Sequence, residues 1–181
     1  MANNEIKMNF SGMEHLQRLL KSAGASTIKI GILGSTNARP QEGLSNSQIG
    51  FIQEFGRMEA PRIPARSFLR MPLKAHLKEK IKKSKVFSEQ NVDKAIAKGD
   101  AVNLVKKLAL LGEQIVLEAF ETSGDGKWAP NADITVYGGW MKVKKKNGKW
   151  TRIKIKGKGS AKPLIDTGEL RKSITSQVVK K

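Results

Sequence analysis

The chain has 181 residues, 39% of them apolar, a formal net charge of +18 and no cysteine. That length suits one domain with a modest core, and the missing cysteines exclude disulfides, thiolate metal sites and a cysteine nucleophile. The apolar runs are far shorter than the roughly 18 residues of a membrane helix, and MANNEIKMNF lacks the pattern of a secretory signal. The charge favours polyanionic partners, and it equally suits a solvated surface that keeps a subunit from associating too early.

Residues 12–22 read as a short amphipathic helix with Met13, Leu16, Leu19 and Leu20 at helical spacing, ended by Gly24. The segment 27–33, TIKIGIL, alternates as a strand does. Turn chemistry fills 34–47, a candidate flexible loop, and 49–55 is too short for periodicity to separate helix from strand. From about Ala65 the pattern turns helical, with Phe68, Leu69, Leu73, Leu77 and Ile81 on one side and Pro72 near the start. A further helix is expected over 88–98, ended by Gly99.

Asp100 is the expected N-cap of the longest helix, 101–121. Its apolar residues, from Leu104 to Phe120, spread over so many sides that two faces must be buried. Residues 134–162 then carry many lysines and no acid. Asn147-Gly148 marks a hairpin between two strand-like halves. A two-residue loop would mix apolar and basic residues on both faces. A three-residue loop, Lys146-Asn147-Gly148, pairs Val143 with Thr151, Met141 with Ile153 and Lys142 with Arg152, which separates the faces and is the expected register. The cations Lys142, Lys144, Lys145, Lys149, Arg152, Lys154 and Lys156 are candidate polyanion contacts, and Trp140 and Trp150 either stack on bases or anchor the hairpin to the core. A connector, 156–162, leads to a short helix opened by Asp166 with Glu169 as its reciprocal cap, and to a closing strand, 174–179.

No catalytic or metal constellation stands out, and no cofactor is expected. Asp166-Thr167-Gly168 has the form of an aspartic-protease loop but occurs once, and a helix cap explains the same residues. Gly124-Asp125-Gly126-Lys127 lacks the spacing of a phosphate loop and reads as a turn. His15 and His76 have no second ligand at metal spacing.

The stretch IGFIQEFGRMEAPRIPARSFLR, 49–70, resembles the glutamate-Phe-Gly and Ile-Pro-Ala-Arg-x-Phe-Leu-Arg signature of tail-completion and virion-morphogenesis proteins of tailed bacteriophages, of the Mu-like type. IKIGIL precedes it, and GDGKWAP and PLIDTGELRKSIT follow in the family's order, so the likeness spans about residues 27–176. Gln53 stands where a histidine is frequent, and Ser67 where a proline is. The resemblance implies a non-enzymatic structural protein of the virion neck or tail, present in the host cytoplasm during assembly. It implies a ring of copies, a hexamer first, touching tail-terminator or tail-tube proteins and head-completion or neck proteins. Genomic DNA in the channel is a further expected contact, and a membrane is not.

The expected architecture is one α+β domain over 1–181. A small, mostly antiparallel sheet packs on two or more helices, and a basic hairpin arm at 139–160 protrudes. Phe55, Gly56, Arg57, Arg62, Pro64, Arg66 and Arg70 are the expected subunit or partner interface, with Pro61 and Pro64 stiffening the loop and the arginines reaching carboxylates on a neighbour. The alternative function is a nucleic-acid-binding protein working through the lysine-rich hairpin.

Overall fold

The computed structural model describes residues 11–39, 43–59, 62–164 and 168–180. Among these residues seven helices and two two-stranded antiparallel sheets form an α+β fold. In chain order the elements are α1 (Ser11–Gly24), β1 (Ser26–Ile32), α2 (Asn46–Phe55), α3 (Arg70–Lys83), α4 (Glu89–Lys98) and α5 (Val102–Thr122). Then come α6 (Asp133–Tyr137), β2 (Gly138–Lys144), β3 (Trp150–Lys156), α7 (Glu169–Lys172) and β4 (Ile174–Lys180).

Most of the many-sided apolar pattern of α5 is buried within the chain, and Leu110 is left 63% exposed. Its C-terminal half carries Val116 and Phe120 into a cluster with Phe68, Leu170 and Ile174. Its N-terminal half carries Leu104 against Val86 and Ala95, with Leu19 of α1 and Leu108 packed alongside. β1 pairs with β4 from Ser26↔Lys180 to Ile32↔Ile174, so the two ends of the chain close into one ribbon against α5. Two glycines set how closely this ribbon approaches. A Cβ on Gly112 of α5 would lie 2.3 Å from Ile30 Cδ1, and one on Gly50 of α2 would lie 2.6 Å from Ile32 Cδ1. The isoleucines fill the room that the missing side chains leave.

Several expectations change in the structure. The ambiguous stretch 49–55 is helical, as part of α2. Ser45 opens it with a capping box, in which Ser45 Oγ accepts the Gln48 N–H and Gln48 Oε1 accepts the Ser45 N–H. α3 begins at Arg70 and not near Ala65, because the N–H groups of Arg66, Phe68 and Leu69 are held by Gln53 and Glu54 of α2. The described ends of the 34–47 loop are tied down. Thr36 Oγ1 donates to Ser173 O at 2.8 Å, and Asn37 Oδ1 accepts the Ser47 N–H at 2.8 Å. α5 begins one residue later than expected, yet Asp100 Oδ1 does accept a first-turn N–H, that of Val102, at 2.9 Å. The last helix is confined to α7, with Gly168 as its N-cap. Pro61 and Asp166 lie outside the described residues.

The hairpin has the three-residue loop. Val143 pairs with Thr151, Met141 with Ile153 and Lys142 with Arg152. Lys145 N–H donates to Lys149 O at 2.8 Å, and Gly148 sits at φ 79°, the left-handed conformation this loop requires. At the hairpin base the backbones of Gly138 and Gly157 cross so closely that a Cβ on Gly138 would lie 2.6 Å from Gly157 N. Beyond β3, the N–H groups of Lys158 and Gly159 reach the carbonyls of Thr135 and Val136 in α6, which seats the hairpin on that short helix.

Phe120 has no exposed surface and packs between Phe68, tilted to it at 5.2 Å, and Trp128, edge-to-face at 5.9 Å. Phe120→Ala is expected to destabilise the chain by about 3–5 kcal/mol in urea unfolding. A loss under about 1 kcal/mol would show that this cluster is not the core.

Candidate functional site

Near the end of α2, Glu54 continues the buried row Asn46-Gly50-Glu54, spaced four residues apart, and borders the exposed side that carries Phe51 and Phe55. Glu54 is 5% exposed. Its Oε2 accepts the N–H groups of Phe68 at 2.9 Å and Leu69 at 3.0 Å. Its Oε1 accepts Ser67 Oγ at 2.6 Å, Arg70 N–H at 3.1 Å and Arg70 Nε at 3.3 Å. The N-cap residue of α3, Leu69, has no polar side chain; Ser67 Oγ accepts the Met71 N–H at 3.1 Å, and the Glu54 carboxylate takes the Arg70 N–H and meets the positive end of the helix dipole. Burial pushes the Glu54 pKa up, but the bonds from Ser67, Leu69 and Arg70 outweigh burial, and the pKa lies below its ordinary value.

Between these two helices the chain doubles back. Arg57 and Ile63 exchange both backbone hydrogen bonds, at 2.8 and 2.9 Å. Gly56 makes the turn possible. Its φ is 77°, and a Cβ there would lie 2.9 Å from both Ala65 N and Ile63 O. Arg66 points inward and is 7% exposed. Its Nε and Nη2 donate to the carbonyls of Ala129 and Pro130, each at 2.8 Å. Burial pulls its pKa below the ordinary value. Trp128, from the same downstream turn, donates its Nε1–H to Ser67 O at 3.1 Å and lays its ring against Phe120 and over Gly124. Arg39 Nε donates to Glu169 Oε2 at 2.7 Å and ties the loop after β1 to α7.

The expected interface residues therefore divide. Gly56 and Arg66 are internal braces, and Arg66 is removed from the outward set because its guanidinium is buried on two carbonyls. Phe55, Arg62, Pro64 and Arg70 are exposed. Arg57 is half-buried, with an Nε that has no partner among the described residues. The rings of Phe51 and Phe55 stack one turn apart at 4.8 Å, and the Arg70 guanidinium lies 4.6 Å above the Phe55 ring. Met58, three residues beyond Phe55, is 84% exposed.

A second surface lies on the hairpin. Strand alternation places Trp140, Lys142 and Lys144 of β2 on one side with Trp150, Arg152, Lys154 and Lys156 of β3, while Lys145 and Lys149 flank the loop. All nine are exposed. The tryptophans are not core anchors, because the less exposed Met141, Val143 and Ile155 occupy the opposite side.

The turn 124–128 is held by backbone bonds such as Trp128 N–H to Ser123 O, and its Asp125 pairs with His76 of α3 at 2.8 Å. Among the described residues no group of three or more His, Cys, Asp or Glu could hold a metal ion, and no helix is long and apolar enough to cross a membrane. Sequence reasoning missed Glu54 and Trp128 as organising residues.

Glu54→Ala strips a buried acceptor from three N–H groups and a hydroxyl, and is expected to cost about 2–4 kcal/mol near neutral pH. Because the folded pKa is depressed, the carboxylate's contribution is complete above the ordinary glutamate range and is lost as pH falls through the folded value. In urea titrations from about pH 7 to about pH 3, the stability gap between wild type and Glu54→Gln should shrink; a gap independent of pH would contradict this role. The chain matches no family model, no curated protein and no solved structure.

Proposed function

We propose that this chain is a non-enzymatic structural subunit of a tailed-phage virion, completing the tail or joining tail to head at the neck. The observation that carries the proposal is the convergence in space of motifs that lie far apart in sequence. Glu54 of the Glu-Phe-Gly motif caps the helix opened by Ser67-Phe68-Leu69-Arg70. Arg66 and Ser67 of that second motif hold Trp128, Ala129 and Pro130 of GDGKWAP. Ile30 and Ile32 of IKIGIL and Leu170 and Ile174 of the last motif pack with Phe68. The residues that carry the phage resemblance thus build one rigid frame, with bonds used up internally rather than poised for chemistry.

Outside the frame stand Phe51, Phe55, Met58, Arg62 and Arg70. This ledge, an exposed aromatic pair with the Arg70 guanidinium over it, has the composition of an interface core. In a ring of identical copies it would meet a different patch on the next subunit, a heterologous contact that closes on itself. A rigid ledge loses little conformational entropy on docking. The expected neighbours are other copies, then tail-terminator, tail-tube or neck proteins, with the virion as the final location and host cytoplasm as the site of assembly.

Light scattering on the purified chain, alone and with tails of the phage that encodes it, tests this. Wild type is expected to form a closed oligomer alone or on tails. Phe51→Ser/Phe55→Ser should keep the wild-type circular dichroism and lose the oligomer. A wild-type monomer that ignores tails would overturn the proposal.

A further inference from the structure

The hairpin face carries a feature that subunit assembly does not use. Trp140 lies opposite Lys154, Lys142 opposite Arg152, and Lys144 opposite Trp150. The two rings therefore sit at opposite ends of one basic face, about 13 Å apart along the ribbon at the usual rise per residue. They are 67% and 68% exposed. Residues 134–162 contain no acid, and Lys142, Lys144, Arg152 and Lys154 have no carboxylate partner among the described residues. Lys142 and Arg152 directly opposed repel each other, which an ordinary hairpin avoids.

We propose that this face binds single-stranded nucleic acid. Phosphates placed between the rings relieve the repulsion of Lys142 and Arg152 and release counterions from the strand. Bases stack on Trp140 and Trp150, whose π-faces accept any base. The pairing of rings with cations selects among polyanions. A duplex offers phosphates but keeps its base faces hidden, and an acidic protein offers charge without stacking partners. Each tryptophan has a cation directly across the ladder, so a stacked base and its phosphate are met by neighbouring residues.

The test uses the full chain and a fluorescein-labelled oligothymidylate of about 15 nucleotides, followed by anisotropy, with a duplex of equal phosphate number and heparin as comparison ligands. The oligothymidylate is expected to bind more tightly than the duplex. Trp140→Ala and Trp150→Ala should each weaken oligothymidylate binding about tenfold or more while leaving heparin binding unchanged. Lys142→Ala/Arg152→Ala should reduce the slope of log affinity against log salt by about 1.4. No binding, equal binding of duplex and single strand, or binding indifferent to both tryptophan changes would overturn the proposal. Phe51→Ser/Phe55→Ser should bind oligothymidylate as wild type does, so loss of the assembly reading and loss of this one are separate results.

Discussion

The start of α3 and the two residues before it need acceptors for their N–H groups, and most of these come from one carboxylate on another helix, with Ser67 Oγ taking the Met71 N–H. Glu54 holds the N–H groups of Phe68, Leu69 and Arg70 and the hydroxyl of Ser67. Leaving those donors unmet in a buried setting would cost several kcal/mol, so the ends of α2 and α3 are effectively bound together. The rest of the arrangement follows from that constraint. With residues 67–70 fixed, Phe68 is driven onto Phe120, and Arg70 is turned outward over Phe55.

The arginines split into two physical roles for the same reason. Arg66 lies on the inward side of an extended segment and meets Ala129 and Pro130 as a fork meets two carbonyls. Arg70 lies one helical start later and reaches the surface. Gly56 lets the chain that pairs Arg57 with Ile63 pass close to Ile63 and Ala65 without a side chain in the way. The frame and the ledge are thus two sides of a single loop, and rigidity on the inside is what gives the outside a defined shape. The basic hairpin is separate, seated on α6 through the glycine crossing at Gly138 and Gly157.

Much of the fold was legible in the sequence where local physics decides it. The hairpin register could be read because only one loop length keeps Met141, Val143 and Ile153 on one side and Lys142 with Arg152 on the other. The long helix α5 could be read because its apolar residues exceed one face. α2 was ambiguous because its apolar run is short, although Ser45 and Gln48 carried a capping box that settles the matter in favour of a helix. The inward turn of Arg66 was not legible, since its partners lie 63 and 64 residues away and a cation is expected at the surface. The role of Glu54 was hidden likewise: its neighbours in sequence say nothing of a helix that starts sixteen residues later.

The proposed assembly requires a frame that is rigid before anything docks and a ledge that changes only when something does. Hydrogen exchange on the free chain and on the chain mixed with phage tails, the proposed partner, measures both at once. The predicted result is strong protection of the Phe68, Leu69 and Arg70 amides in the free chain, comparable with the centre of α5, and added protection over 51–58 on binding. Fast exchange at 68–70 in the free chain, or unchanged exchange over 51–58 in the mixture with tails, would contradict it.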